Sequence, residues 1–314
     1  MNHIRDTAAN IKVDRAAIRL LKAEEILSLY AHWLEREIVF RETTGLEVLP
    51  LKTYYRNLFS PHGKIRPIGW EGYGQRLTPI IEELKTSTRA PRVLDAGCGY
   101  GTESLLFSLF PAKVWGVDLV PERIALARSR ADFFQALSNK PLELTFVNAH
   151  LFRFLETSPP FDIIWALEAI SHIYPPEKFL RLCWRKINKD GKLIISDPNS
   201  LNPLALLRSM KIRGSVIHRP HQKFLDPDTW QPADVGQEKI FNIFRIKKLL
   251  EAAGFRIQAV EMSGFMGSSL LPQAFFDKEK FVRSLERYQK LVRRIPLLRS
   301  LGSIYTLIAT KRND

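Results

Sequence analysis

The chain has 314 residues, of which 45% are hydrophobic and 25% charged, and its formal net charge is +14. This composition is typical of a globular protein with one large domain or two small ones. The two cysteines, Cys98 and Cys183, indicate neither a disulfide framework nor a zinc cluster, and they fit a reducing cytoplasm. No apolar run approaches the roughly 18 residues of a membrane span, and the N-terminal residues lack a signal-peptide core, so we expect a cytoplasmic protein.

The positive charge favours an anionic partner, which is nucleic acid, an anionic membrane surface or an acidic substrate. It fits equally a basic surface that is only solvated. Composition alone does not choose among these alternatives.

Residues 1–77 are expected to form an N-terminal cap on the domain of residues 78–314. Over residues 1–50 the apolar positions have helical spacing. They are Ile18, Leu21, Leu29, Trp33 and Ile38. We expect this face to pack on the main domain, and a partner-binding arm is the alternative.

Residues 51–75 are rich in aromatic side chains and are interrupted by proline and glycine, which predicts irregular structure. A segment of this kind, just before the first strand of the main domain, is placed to fold over a site. Tyr73 and Arg76 are therefore candidates to contact a cofactor carboxylate or a substrate. The alternative is that they only pack.

A glycine-rich stretch follows the apolar pair of residues 93–94. Asp95 precedes Gly97, Gly99 and Gly101, and a helical pattern begins at Thr102. A strand, a glycine turn and a helix N-terminus form the entry to a nucleotide site. The dinucleotide fingerprint needs a sixth-position glycine, which Thr102 replaces, and a carboxylate at Asp95 would repel a pyrophosphate but accept a hydrogen bond from an ammonium group. A loop that is merely glycine-rich is the alternative.

Strands and helices alternate from this stretch onwards, which predicts an α/β fold with a doubly wound, mostly parallel sheet. The predicted strands are Arg92–Asp95, Lys113–Asp118, Leu142–Val147, Asp162–Ala166, Lys192–Asp197, Phe255–Val260 and Ser303–Ala309. The predicted helices are Thr78–Leu84, Thr102–Leu109, Glu122–Leu137, Glu177–Ile187 and Arg245–Ala253. Residues 189–191 are expected to form the turn between a helix and the next strand.

Asp118 ends the second predicted strand, 23 residues after Asp95. This is close to the spacing of about 20 residues at which an acid meets ribose hydroxyls in nucleotide-binding folds. A carboxylate suits the task because it accepts hydrogen bonds from both hydroxyls. A helix-capping role, with Pro121 at the helix start, is compatible with it.

Three further stretches, residues 161–173, 187–197 and 249–255, complete a pattern. Together with the D-x-G-x-G-x-G motif they resemble the class I S-adenosylmethionine-dependent methyltransferases, in the small-molecule branch of the ubiquinone-type O-methyltransferases. The resemblance covers about residues 91–199, 237–260 and the final strand. It implies a seven-stranded Rossmann-like methyltransferase sheet with a helical N-terminal cap and insertions after strands 5 and 6.

The resemblance also implies the residues that bind S-adenosylmethionine. The glycines would line its methionine part, Asp95 would support its amino end, and Asp118 would hold its ribose. Asn148 and His150 stand where an adenine-contacting acid usually follows the third strand. The full set is Asp95, Gly97, Cys98, Gly99, Tyr100, Gly101, Asp118, Leu119, Asn148, His150 and Leu167.

His172 is the candidate general base, because histidine titrates near neutral pH and a hydroxyl acceptor has a proton to lose. A structural hydrogen bond is the alternative for this side chain. His218 and His221 are further candidates. In the ubiquinone-type enzymes two Glu and one His surround a divalent metal. Here Glu168 and His172 match, but Ser171 replaces the second Glu, so we assign no metal and keep Glu168 as a substrate contact.

Two insertions, residues 198–235 and 262–302, lie outside the resemblance and are expected to select the substrate. The first carries a basic stretch that includes Arg213, a candidate substrate contact, with no acid between Asp197 and Asp226. The second contains a basic amphipathic helix from Phe281, which predicts either peripheral membrane contact or a cap helix. The segment Asp197-Pro198-Asn199 is not the motif of nucleobase amino-methyltransferases.

We therefore expect in-line methyl transfer from S-adenosylmethionine, with S-adenosylhomocysteine as product, to a small molecule, at a hydroxyl oxygen. The acceptor is expected to be anionic with an apolar part. The alternatives are an RNA methyltransferase and a non-catalytic binding protein that retains the fold. The sequence specifies neither the acceptor nor the oligomeric state.

Overall fold

A computed structural model describes residues 14–138, 141–202, 224–225, 232–233, 240–264, 284, 287–288, 291–292 and 294–312. The chain divides into two compact units, Met1–Asn148 and Ala149–Asp314.

Over residues 14–138 and 141–148, the first unit contains five α-helices and three parallel strands. The helices are α1 (Ala23–Thr44), α2 (Leu49–Tyr54), α3 (Pro67–Thr86), α4 (Thr102–Ser108) and α5 (Pro121–Leu137). The strands are β1 (Arg92–Ala96), β2 (Lys113–Asp118) and β3 (Leu144–Asn148), and a 3₁₀ helix spans Ala17–Leu20. Strand β2 pairs in parallel with β1 and β3.

Helix α1 has clear start and stop signals. The backbone N–H of Lys22 donates to Oε2 of Glu25 at 2.7 Å, and Gly45 ends the helix with a φ of 71°. Tyr30, Trp33 and other apolar side chains at helical spacing are buried. Of the predicted apolar stripe, Ile18, Trp33 and Ile38 are buried, whereas Leu21 and Leu29 are half-buried. The predicted helical structure of residues 1–50 is present over Ala23–Thr44.

Helix α3 corrects the prediction of irregular structure before residue 75. Its glycines allow close packing instead of breaking the helix. A Cβ at Gly69 would lie 1.9 Å from the carbonyl oxygen of Asn57, and one at Gly74 would lie 3.0 Å from Cδ1 of Leu27. The predicted helix start at Thr78 is wrong by about three turns, and position 77/78 lies inside the helix.

The second unit contains four helices and six strands within its described residues. The helices are α6 (Leu151–Thr157), α7 (Pro176–Lys186), α8 (Ile243–Ala252) and α9 (Pro296–Arg299). The strands are β4 (Phe161–Leu167), β5 (Ile187–Pro198), β6 (Phe224–Leu225), β7 (Pro232–Ala233), β8 (Phe255–Ser263) and β9 (Ile304–Lys311). Strands β4 and β5 are parallel, whereas β9 is antiparallel to both β5 and β8.

Seven strands form one sheet in the order β3-β2-β1-β4-β5-β9-β8, and β6 and β7 form a separate hairpin. The predicted seven-stranded, mostly parallel α/β fold is confirmed. Two local predictions were wrong: the short helix α6 was missed, and residues 188–191 form an irregularity inside β5 because α7 already ends at Lys186. No helix in the described ranges is long and apolar enough to cross a membrane.

Candidate cofactor site

The loop after β1, residues 96–102, is called the glycine loop. Its three alternating glycines all have left-handed backbone angles, with φ of 78° at Gly97, 53° at Gly99 and 77° at Gly101. The N–H groups of Gly97 and Cys98 both donate to the carbonyl of Val117, at 2.9 and 3.0 Å. Glycine occupies every second position because residues with a Cβ rarely adopt these backbone angles.

Gly101 and Gly99 differ in what surrounds them. A Cβ at Gly101 would lie 2.5 Å from Cζ of Phe146, so this position is packed against the interior. Around a Cβ at Gly99, the only atom within 4 Å in the described part of the chain is the Tyr54 hydroxyl oxygen, at 3.8 Å. The open side of Gly99 is where a ligand can approach the backbone closely, which fits the cofactor.

Asp118 ties the end of β2 to the glycine loop. Its Oδ2 accepts from the N–H of Gly99 and its Oδ1 from the N–H of Val120, both at 2.9 Å. Nη1 of Arg123 lies 3.9 Å from Oδ2. Each carboxylate oxygen retains a second lone pair, so the ribose role remains chemically possible and stays a prediction.

Asp95 lies beneath the loop and is fully buried. Its Oδ2 accepts a hydrogen bond from the Ser104 hydroxyl at 2.6 Å. Burial, followed by the nearby Glu103, raises the pKa of Asp95 well above its usual value. The carboxyl group thus orders the start of α4, and its support of the cofactor amino end stays a prediction.

An aromatic cluster with one cation lies beside the loop. The rings of Tyr54 and Tyr100 are 5.2 Å apart, nearly perpendicular. The Arg123 guanidinium lies 5.6 Å from the Tyr54 centroid and 5.9 Å from that of Tyr100. Sequence reasoning did not assign Tyr54 or Arg123 to the site; the aromatic richness of residues 51–75 was the signal for Tyr54, and none existed for Arg123.

Tyr73 and Arg76, the predicted substrate contacts from the N-terminal segment, are both buried. The Tyr73 hydroxyl donates to Oε1 of Glu103, and burial raises the Tyr73 pKa, with Glu103 adding to the effect. Their substrate roles stay predictions.

The two candidates for the adenine have backbone partners. Nδ2 of Asn148 donates to the carbonyls of Asp118 and Leu119, at 3.1 and 2.9 Å, which leaves its Oδ1 to accept from an adenine amino group. His150 caps α6, and its Nδ1 accepts from the N–H of Phe152 at 3.3 Å. Neither adenine role is tested by this geometry.

In the second unit, the turn after β4 starts at Leu167. Glu168 has a φ of 48° and is the only non-glycine residue in the described ranges with a positive φ. Its N–H donates to the carbonyl of Ser196 at 2.8 Å, and its side chain is exposed. Backbone strain of this kind often occurs at functional sites, where the side chain is needed.

His172 ends a 3₁₀ helix, Ile170–His172, in the same turn and is half-buried. Ser171 is buried beside it. No group of three His, Cys, Asp or Glu side chains in the described ranges is arranged to hold a metal ion. Arg213, His218 and His221 lie outside the described residues, so their roles stay predictions.

Comparisons with known proteins identify the family and the fold. A family model described as "Methyltransferase domain" matches residues 70–260, more than half of the chain. The ubiquinone biosynthesis O-methyltransferase of Bos taurus is 27% identical over 172 residues, which cover 54% of this chain and 42% of the relative. The enzyme of that name from Cereibacter sphaeroides is 27% identical and is covered to 77%. The chain thus spans less than half the length of the bovine relative.

Two solved structures support the fold. A S-adenosylmethionine-dependent methyltransferase from Archaeoglobus fulgidus superposes with a TM-score of 0.52 at 19% identity, over 84% of this chain and 99% of that one. Magnesium protoporphyrin IX methyltransferase from Synechocystis, with bound S-adenosylhomocysteine, gives a TM-score of 0.52 at 16% identity, over 84% of this chain and 95% of that one. The RNA alternative is not supported by these relatives. The chain therefore belongs to the methyltransferase-domain family, as a class I, S-adenosylmethionine-dependent member similar to the ubiquinone O-methyltransferases.

Proposed function

We propose that the protein transfers the methyl group of S-adenosylmethionine to a hydroxyl oxygen of a small molecule. The observation that carries this proposal is the match of residues 70–260 to the methyltransferase domain, together with relatives named as O-methyltransferases of ubiquinone biosynthesis.

The cofactor supplies an activated methyl group when bound, so the protein mainly aligns donor and acceptor and excludes water. The glycine loop would accept the cofactor on the side of Gly99 where a Cβ would meet only the Tyr54 hydroxyl within the described part of the chain. Asp118 would accept from the ribose hydroxyls while it keeps its bonds to the N–H groups of Gly99 and Val120.

His172 would take the proton that the acceptor hydroxyl loses, and Glu168 would orient the acceptor. The strained backbone at Glu168 supports this assignment, because a glycine would fit that angle without strain and a carboxylate is present instead. Both residues lie in one short turn of the second unit.

The acceptor is proposed to be anionic, with an apolar part. The basic stretch around Arg213 would attract the charge. The relatives are named O-methyltransferases of ubiquinone biosynthesis, which supports oxygen as the atom that accepts the methyl group.

A membrane-facing surface would suit such an acceptor. In the described residues from Arg287 to Arg299 the side chains of Tyr288, Leu291 and Ile295 are 43%, 60% and 41% exposed. Arginines flank them, which favours an anionic lipid surface. We propose peripheral membrane contact there, with the rest of the protein in the cytoplasm; binding to vesicles with and without anionic lipid tests the first point, and cell fractionation the second.

Two measurements test the proposed reaction. Calorimetry with S-adenosylhomocysteine should show binding, and no binding by the folded protein would refute the proposal. Incubation with methyl-labelled cofactor and a panel of phenols, amines and RNA should label a phenol. Transfer to RNA or to an amine would replace the oxygen assignment, and binding without any acceptor would favour the non-catalytic alternative. His172→Ala should lower kcat while leaving cofactor affinity unchanged.

A further inference from the structure

Three buried charged side chains of helices α1 and α5 form one cluster, which the proposed reaction does not use. Glu37, Arg41 and Arg130 are each at most 2% exposed. Arg130 donates from Nε to Oε1 of Glu37 at 2.8 Å and from Nη2 to Oε2 at 2.9 Å, so the pair is bidentate. Nε of Arg41 donates to the same Oε1 at 3.0 Å.

The third nitrogen of Arg130 reaches the glycine loop. Nη1 donates to the carbonyl of Tyr100 at 2.8 Å and to the hydroxyl of Thr102 at 2.7 Å. These two partners flank Gly101, whose left-handed backbone turns the chain into α4. One guanidinium therefore connects α1, α5 and the turn of the loop.

A second contact from α1 reaches the same turn. The Tyr30 hydroxyl donates to the carbonyl of Thr102. Tyr30 and Glu37 are seven residues apart, so they lie on one face of α1. Both contacts act on the backbone that immediately follows Gly99.

Stability alone does not explain this arrangement. Burial by itself lowers the pKa of Arg130, but the charge and hydrogen bond of Glu37, with smaller contributions from Tyr30 and Tyr55, together raise the pKa, so the arginine stays charged. Buried ion pairs often contribute no more stability than apolar side chains of similar size. Apolar side chains could not make the hydrogen bonds by which Arg130 holds the Tyr100 carbonyl and the Thr102 hydroxyl.

We propose that Glu37 and Arg130 are positioning residues for the cofactor: they hold the backbone of residues 100–102 so that the loop is shaped for S-adenosylmethionine before it binds. The N-terminal helix α1 thereby helps to set cofactor affinity. This inference rests on the cofactor assignment and not on the acceptor proposed above.

The test compares stability with affinity in the full-length chain. In the triple variant Glu37→Met/Arg41→Met/Arg130→Met all three buried charges are removed together, so that none is left without a partner, and the melting temperature should stay near that of the wild type. Its Kd for S-adenosylhomocysteine, measured by calorimetry, should rise at least tenfold. The matched control is Arg128→Met on the same helix, because Arg128 donates to the carbonyl of Phe146 at 2.8 Å and not to the glycine loop. Its Kd should be unchanged.

Arg130→Lys provides a second test if the triple variant does not fold. It keeps the charge beside Glu37, but an ammonium cannot bond to Glu37 and the loop in the planar fork of a guanidinium. We expect a folded protein with weaker cofactor binding. Wild-type affinity in either variant would overturn the proposal. Failure of the wild-type protein to bind S-adenosylhomocysteine would overturn the cofactor assignment as well. This result is distinct from a failure of the positioning proposal alone, in which the wild type binds and the variants bind equally well.

Discussion

The glycine loop after β1 and the turn after β4 both need left-handed backbone angles, but they use different residue types at those positions. Both follow a parallel strand, and both contain left-handed backbone angles. The first uses glycine at Gly97, Gly99 and Gly101, which adopt these angles without strain. The second places Glu168 at a φ of 48°, at a cost of about 1–3 kcal/mol. The comparison indicates that the loop is selected for its backbone shape and the turn for a side chain.

Gly101→Ala should give the largest effect. The new Cβ would adopt a left-handed angle and approach Phe146 to 2.5 Å, so strain and overpacking should together destabilise the protein by about 3 kcal/mol. Urea unfolding of both proteins measures the difference.

Gly99→Ala is the matched control, since its Cβ would meet only the Tyr54 hydroxyl at 3.8 Å within the described part of the chain. It should lose about 1 kcal/mol of stability from strain but more cofactor affinity than that loss implies. Equal stability losses in the two variants would contradict the distinction drawn between a packed and an open glycine.

Asp118→Ala should have the next largest effect, on cofactor binding. It removes the acceptor for the N–H groups of Gly99 and Val120, and with it the acceptor proposed for the ribose hydroxyls. The loss of charge-assisted hydrogen bonds, at about 1.5–3 kcal/mol, corresponds to roughly a 10- to 100-fold rise in Kd. Calorimetry with S-adenosylhomocysteine measures it. Glu122→Ala, an exposed acid at the start of α5, is the control and should bind as the wild type does; unchanged affinity in Asp118→Ala would remove the ribose role.

Glu168→Gly tests the other side of the comparison. Glycine relieves the strain at φ 48° but increases the freedom of the unfolded chain, so stability should change by no more than about 1 kcal/mol. Methyl transfer should fall at least tenfold if Glu168 has its proposed role, because the carboxylate proposed to orient the acceptor is lost. Thermal unfolding and initial rates measure the two quantities. A variant with normal rate would show that the strain serves only the fold.

The comparison also shows what the sequence could predict. The glycine loop was predictable because the glycines that give the loop its shape are visible in the sequence. Asp118 was predicted as a site residue from its spacing to Asp95. The seven-stranded, mostly parallel sheet was implied by the family resemblance, whereas its strand order comes from the structure. The buried pair of Glu37 and Arg130 was not predictable, because 93 residues separate them and each alone looks like a surface charge on a helix.

The prediction of irregular structure in the segment that forms helix α3 was wrong for a related reason. Gly69 and Gly74 were interpreted as helix breakers because glycine lowers helix propensity. Their actual role is to let Asn57 and Leu27 approach closely, which is a tertiary contact that local propensity does not contain. At Glu168 the sequence indicated a functional acid through the resemblance, but gave no sign of the backbone angle.

Asp95→Asn should give the smallest effect, and an increase in stability. Burial and Glu103 raise the pKa of Asp95 in the folded protein, so its contribution to stability is fully present below the unfolded pKa and is lost as the pH rises through the folded pKa. Asparagine does not titrate and can still accept from the Ser104 hydroxyl. The variant should therefore be about 1 kcal/mol more stable than the wild type at pH 8, with the difference shrinking towards pH 5. Urea unfolding at both values measures this. A variant less stable than the wild type at pH 8 would show that the charged carboxylate supports the glycine loop. A variant that is more stable but binds the cofactor more weakly would show that the Asp95 carboxylate lowers stability and is needed for binding, which is the relation proposed for Glu168.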